Sequence, residues 1–317
     1  MNRTLIVYQS KYGSTKAIAQ KLALILGPAV AIAPSDFNEK YKDFNTVVIG
    51  SPIYGELILN EIREFIQNNL DWLKTKKIAL FTVSLSPSSE KAFSDMLELL
   101  KGSVVWQGTF GGVYDPAAMD EKDSLAMEQF SKITGFDNAY TDFRDDNMFA
   151  EKALEIKRIF KNTLSMPQDK LKAYFENFLI SHNTCTLCTG HEKEVRATPI
   201  EYMYFDEALY FFTEGGEKFA HILINPNVSV AVYDNYAGFQ KLGGLQISGT
   251  AEIICRESEE YTKVALKKGL DTDKLSALPV VLNMLKVNIR SCEFLSSEIG
   301  RDGFDARQTL TNVKNTI

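Results

Sequence analysis

Cysteine is scarce in this chain: Cys185, Cys188, Cys255 and Cys292 are the only four among 317 residues. That is too few and too scattered for a disulfide framework at this length. Histidine is scarcer still, with His182, His191 and His221 alone, and none stands at helix spacing from a carboxylate or thiol in a metal-binding pattern. Apolar runs stay well short of the ~20 residues that cross a bilayer, so no membrane association is expected. Positive charge is not in excess: 35 Lys+Arg against 41 Asp+Glu leave a net charge of -6. A nucleic-acid partner, which demands dense positive surface, is therefore not expected. The chain has no G-x-S-x-G elbow, no GxxxxGK[ST] loop and no GxGxxG fingerprint. Hydrolase, nucleoside-triphosphate and dinucleotide readings gain no support. The opening Met1–Tyr8 reads as a strand rather than a signal peptide. With so few cysteines, a cytoplasmic location is expected.

What is present is core-forming material, 45% hydrophobic and 24% charged, the balance of a packed chain. The length is about twice a domain of roughly 150 residues, so two domains are expected. From residue 4 to about 163, strand-like runs at Leu5–Tyr8, Val30–Ile32, Thr46–Gly50, Ile78–Val83 and Val104–Gly112 alternate with helical stretches. Those stretches fall at 14–26, 57–70, 88–100, 121–134 and 147–162, the last with an apolar stripe of Phe149, Ala153, Ile156 and Phe160. Continuous β-branched strands between amphipathic helices predict an α/β fold, a doubly wound five-stranded parallel sheet with ligands beyond the strands' carboxyl ends. Pro167 resets the backbone, and the boundary is set between domains 1–164 and 165–317. Beyond it a helix at 168–181 leads into strands at 184–189, 194–204, 208–213, 228–234 and 243–254. Helices at 217–224, 258–269 and 273–284 and a last strand from Lys286 to Glu298 complete the pattern. Short strands with glycine-containing turns predict a mainly antiparallel barrel with helices.

One loop of this half suits an anion, and others on the same sheet edge could flank a planar ring. Ser10-Lys11-Tyr12-Gly13-Ser14-Thr15 follows the first strand and opens a helix, where unpaired amides and the positive dipole end favour negative charge. From the residues alone, Ser14 reads equally well as a plain helix cap. A second loop, Gly50-Ser51-Pro52-Ile53-Tyr54-Gly55, lies on the same sheet edge, as do Ser84-Leu85-Ser86-Pro87 and Gly111-Gly112-Val113-Tyr114. These motifs resemble a flavodoxin-like domain, closest in style to the flavodoxin-like protoporphyrinogen dehydrogenases. The resemblance implies an FMN phosphate held by Ser10, Tyr12, Gly13, Ser14 and Thr15. It implies an isoalloxazine flanked by Tyr54, Ser84, Leu85 and Gly112.

In the second half, Arg196 on one strand and Lys218 in the first turn of a short helix could converge on one phosphate, a rigid fork beside a mobile point charge. Either residue alone reads as an ordinary solvated cation. Arg196-Ala197-Thr198-Pro199, the segment Tyr210 to Ala220, the run Asn225 to Val232 and Leu245 to Ala251 resemble the pyridoxamine-phosphate-oxidase-like FMN-binding split barrels. That resemblance implies phosphate contacts from Arg196 and Lys218. It places Thr198, Pro199, Phe212 and Thr213 near the isoalloxazine, and Gln246 reaching it across a homodimer. Glu201 and Glu217 stand where the oxidase itself carries further basic ligands, so its vitamin substrate is not carried over.

Cys185 and Cys188 form a CxxC that reads either as a redox or metal pair or as a buried thiol in a strand. Three residues apart, they face opposite sides of a strand. His221 follows Lys218 by three residues and could sit near the phosphate. The combined expectation is an FMN-dependent oxidoreductase or electron carrier fed by a reduced nicotinamide or a redox protein. The alternative is a flavin or haem sensor or carrier with a docking domain.

Overall fold

A computed structural model describes residues 3–55, 57–85, 92–161, 164–271, 275 and 279–311. It divides into two compact units, Asn2–Thr163 and Leu164–Ile317.

The first unit is built on strands β1 (Thr4–Tyr8), β2 (Ala29–Ile32), β3 (Thr46–Tyr54), β4 (Leu57–Ile58), β5 (Lys77–Ser84) and β6 (Val104–Gly111). Five of them form a parallel sheet in the order β2-β1-β3-β5-β6, the flavodoxin-like doubly wound arrangement. Burial on both faces explains the unbroken apolar runs: Leu5, Ile6, Val7, Val47, Val48, Ile49, Leu80 and Phe81 have no exposed surface. The helices are α1 (Ser14–Leu26), α2 (Asn60–Asn68), α3 (Leu70–Leu73), α4 (Ser94–Leu99), α5 (Glu121–Thr134) and α6 (Asp146–Phe160). In α6 the stripe Phe149, Ala153, Ile156 and Phe160 is buried against the sheet with Ile18 and Leu22 of α1. Gly50 is glycine for a packing reason. A Cβ there would lie 2.0 Å from the ring of Phe81.

The register sets the site. Tyr8 pairs with Gly50, Pro52 with Val83, and Ser84 with Gly111. The loops after β1, β3, β5 and β6 therefore leave the same sheet edge. The short pair β7 (Val113–Tyr114) and β8 (Thr141–Asp142) and the helix α5 follow that edge.

The second unit is a curled antiparallel half-barrel. Its strands are β9 (Thr184–His191), β10 (Glu194–Glu201), β11 (Met203–Phe205), β12 (Ala208–Thr213), β13 (Asn227–Tyr233), β14 (Gly243–Ile254), β15 (Asn283–Ser296) and β16 (Arg307–Thr311). They run β10-β9-β13-β14-β15-β12-β11, with β16 on β15. The helices α7 (Gln168–Ser181), α8 (Glu217–Ile224), α9 (Glu259–Lys267) and α10 (Ser297–Arg301) accompany them. Alternating residues of β13, β14 and β15, such as Val228, Val230, Leu245, Ile247, Leu285 and Val287, join Leu171, Phe175 and Leu179 of α7 in one core.

Several boundaries differ from expectation. Leu57–Ile58 begins no helix; it pairs with Ile53 and Tyr54 as an antiparallel extension of β3. The strand expected over 194–204 breaks at Tyr202, whose ring is buried and whose hydroxyl bonds the Leu179 carbonyl. β10 then pairs with β9 and β11 with β12. The helix expected at 273–284 cannot reach its end, because β15 starts at Asn283; its residues 273, 274 and 276–278 lie outside the described residues, as do 88–91 of the helix expected at 88–100. Glu298 is helical, since Ser296 closes β15 and caps α10. Cys255 is exposed just past the end of β14.

Candidate functional site

In the first unit the carboxyl-end loops enclose a cavity of about 360 Å³, within the roughly 300–1,000 Å³ usual for small-molecule sites. Ser10, Tyr12, Ser14, Thr15, Tyr54, Ser84, Leu85 and Gly112 all line it. Gly13 sits beside it at φ +93°, a left-handed conformation that a side chain would strain, and starts α1 by accepting from the Ala17 amide. Ser86 and Pro87 lie outside the described residues. Sequence reasoning missed the opposite wall. Met119, Asp123, Ala126, Met127 and Phe130, on and just before α5, face the loops.

Most of the loop's polar groups already have partners. The Gly13 amide donates to Ser10 Oγ at 3.1 Å, and Ser14 Oγ accepts from the Val113 amide at 3.0 Å. Lys11 Nζ bridges Asp120 at 2.7 Å and Asp123 at 2.8 Å. Tyr12 Oη donates to Asp123 at 2.7 Å. The bond to Asp120, then that to Asp123, raises the Lys11 pKa, while the Lys11 contact holds Asp120 below the ordinary carboxylate range. Burial, reinforced by the Asp123 charge, pushes Tyr54 up to about 12. The one local signal for these carboxylates is helix capping: Asp120 accepts from the Asp123 amide. Their pairing with Lys11, over a hundred positions away, leaves no trace in sequence spacing.

The barrel cradle is assembled differently. Arg196 and Thr198 share a face of the edge strand β10, and Cα atoms of β10 and β12 come within 8 Å. Arg196 is ion-paired to Glu217. Lys218, the next residue of α8, is 6% exposed and donates to the Gly215 carbonyl. It has no carboxylate partner among the described residues. Burial, then the nearby Arg196 charge, lowers its pKa. Thr198 Oγ1 is buried without any hydrogen-bond partner. A buried cation with no counter-anion and an orphaned buried hydroxyl are each costly unless an anionic oxygen completes them. This donor set fits a phosphate.

The residues that the resemblance sets around the isoalloxazine lie on three strands. Pro199 is exposed on the opposite face of β10, an edge position where its missing N–H is tolerated. Phe212 packs edge-on to Tyr261 at 5.8 Å, in the core beneath α9, and Thr213 ends β12 half-buried. Gln246 is exposed on β14, three strands from β10 in the sheet order, or about 14 Å at the usual strand spacing. His221 is buried next to the cradle, its Nδ1 3.1 Å from Thr189 Oγ1. Cys185 is buried and Cys188 half-exposed; burial pushes the Cys185 thiol up to about 12, which makes it a poor nucleophile.

A flavodoxin domain model matches residues 5–140, and a pyridoxamine 5'-phosphate oxidase model matches residues 171–281. None of the curated proteins matches the chain. Among solved structures, a FAD-binding protein from Mesorhizobium loti is 21% identical, covering 38% of this chain and 90% of its own, with a TM-score of 0.31. A pyridoxamine 5'-phosphate oxidase homologue from Listeria innocua is 18% identical over 39% of this chain and 98% of its own, with a TM-score of 0.31. ChuZ from Campylobacter jejuni is 14% identical over 61% of this chain and 88% of its own, with a TM-score of 0.38. In each half the matched region contains one of the two clusters described above.

Proposed function

From a chain that joins a flavodoxin-like domain to a pyridoxamine-phosphate-oxidase-like split barrel, we propose an FMN-dependent oxidoreductase or electron-transfer protein whose flavin is held by the barrel. The observation that carries this reading is the buried Lys218, with no carboxylate partner among the described residues and with the Arg196 charge nearby, together with the unpartnered Thr198 hydroxyl on the strand of Arg196. Lys218 and Arg196 would hold the phosphate, with the Thr198 hydroxyl donating to one of its oxygens. When bound, the flavin supplies hydride or electron exchange at its ring. The protein's part is to anchor and orient it. Electrons would come from a reduced nicotinamide or a redox protein. The narrower likeness to protoporphyrinogen dehydrogenases rests on loop motifs alone, and we carry no porphyrinogen substrate from it.

The edge strand β10 and helix α8 leave Val195, Leu223 and Ile224 exposed at 87%, 74% and 58%. A homodimer that covers them, and brings Gln246 of one copy toward the cradle of the other, belongs to the same proposal. A cytoplasmic location belongs to the same proposal: the four cysteines stand as free thiols, the state a reducing compartment would keep.

The test is reconstitution with FMN followed by an absorption spectrum, before and after NADH or NADPH. Uptake of one FMN per barrel, lost in an Arg196→Ala/Lys218→Ala double variant, is expected. A chain that stays colourless, or a double variant that binds as the wild type does, would overturn it. A bound flavin that neither nicotinamide reduces would favour a carrier or sensor. A monomeric mass with FMN fully bound would remove the dimer.

A further inference from the structure

The helix that carries Lys218 is not held in place by its own sequence. α8 is 8 residues long, too short to stand alone in water, and its N-cap, Gly216, supplies no side-chain bond. Its placement therefore comes from what it touches. One tie lies at its far end, where Asn225 Nδ2 donates to the Gly190 carbonyl at 3.2 Å. The other is buried. His221, 8% exposed, follows Lys218 by three residues and so shares its face of the helix. Its Nδ1 lies 3.1 Å from Thr189 Oγ1. Thr189 is itself 3% exposed, and in the β9–β10 ladder it stands directly opposite Arg196. A single hydrogen bond thus joins the helix of one cation proposed to hold the phosphate to the strand partner of the other.

The second ring nitrogen does not compete for this role. Nε2 is 3.7 Å from Glu194 Oε2, beyond hydrogen-bonding reach. The Glu194 side chain is 79% exposed, so water screens that contact. Lys218 cannot place itself either. Its charge rides on a flexible stem, and its bond to the Gly215 carbonyl stays within its own turn. We propose, resting on the FMN reading of the barrel, that His221 is the positioning residue of the cradle. Through Thr189 it sets Lys218 at the spacing from Arg196 that one phosphate group spans. Without that tie, FMN binding has to meet the cost of ordering α8, so affinity falls even where the fold survives.

Asparagine and glutamine separate positioning from space filling. The Asn amide sits as many bonds from Cα as Nδ1 does, whereas the Gln amide lies one bond further out, near the place of Nε2. Helix propensity favours Gln over Asn, so the two roles predict opposite orders. FMN binding to the full-length chain is followed by flavin fluorescence, after subtracting any signal that survives in the Arg196→Ala/Lys218→Ala variant. His221→Gln and Thr189→Val should each weaken FMN by about tenfold, the order of one lost buried hydrogen bond, with His221→Asn within about threefold of wild type. In a Lys218→Ala background the His221→Gln effect should shrink to about twofold or less, because the cation it positions is gone. Ile222→Val, a core trim on the same helix, should lower the melting temperature and leave FMN affinity unchanged. Four results would each overturn the proposal while the barrel reading stands: Gln binding as tightly as Asn at 221, Thr189→Val lowering only the melting temperature, an undiminished His221→Gln loss in Lys218→Ala, or an equal loss from Ile222→Val. A wild-type chain that takes up no FMN would overturn both.

Discussion

Both halves of the chain set a glycine-containing turn beside a lysine, yet the two lysines meet opposite surroundings. Lys11 is gripped by two carboxylates and its pKa is raised. Lys218 is buried, faces no carboxylate among the described residues, and its pKa is lowered. A turn rich in glycine and hydroxyls can therefore stand beside a lysine that is already paired or beside one that is not. What matters is whether the local positive charge is already spent. Lys218 carries a desolvation cost that a phosphate would relieve, whereas Lys11 already has its counter-ions in Asp120 and Asp123.

The sharpest way to break this contrast is to remove Lys218. Lys218→Ala should weaken FMN binding about 30-fold, equivalent to the ~2 kcal/mol of one charge-assisted hydrogen bond, while Lys11→Ala leaves it unchanged. Equal losses from both would erase the distinction. The lowered Lys218 pKa also fixes a sign. In the apo protein the native state binds fewer protons than the unfolded chain between the lowered value and the ordinary lysine value of 10.5. Apo stability should therefore rise with pH across that window. Phosphate favours the charged ammonium, so FMN affinity should fall over the same window. Lys218→Arg, which keeps its charge, should flatten the fall in a titration of binding against pH.

A smaller effect is expected at Thr198, with opposite signs in two measurements. An unsatisfied buried hydroxyl costs about 1–3 kcal/mol. Thr198→Val keeps the shape and removes the group, so the apo barrel should gain about 1 kcal/mol, read as a melting temperature higher by ~2–4 °C. FMN affinity should drop by a few-fold, about the value of one neutral hydrogen bond. If both stability and affinity rise, the hydroxyl is not a ligand contact.

How much of this was legible in the sequence follows from which interactions are local. The parallel strands could be read because burial on both faces demands unbroken runs such as Leu5–Tyr8 and Ile78–Val83. The stripe of α6 showed because helix spacing repeats over about three turns. Leu57–Ile58 misled because its apolar pair continues into a helical pattern, and only pairing with β3 makes it a strand. The break at Tyr202 is likewise set by a distant partner, the Leu179 carbonyl. The loop residues of the first site were found because strand ends and turn chemistry are local signals. Their charge balance was not, since Lys11 and Asp123 meet only through the sheet topology.

Glu217 offers the finest adjustment of the contrast, because it makes the barrel cradle resemble the other site in part. Its carboxylate pairs with Arg196, so one of the two cations proposed to hold the phosphate is shared with the chain itself. The pair is solvent-accessible, the side chains of Arg196 and Glu217 being 45% and 74% exposed, and water screens most of its strength. Glu217 can therefore turn away at little cost, unlike the doubly held Lys11. Glu217→Gln should free the Arg196 fork and tighten FMN by about three-fold, the size of a screened surface pair, with the gain shrinking as salt is raised. Glu217→Gln that weakens FMN would make this carboxylate a support that positions Arg196 rather than a competitor for it. Both lysine-bearing turns would then be organised by their acidic neighbours, and the buried state of Lys218 alone would separate them.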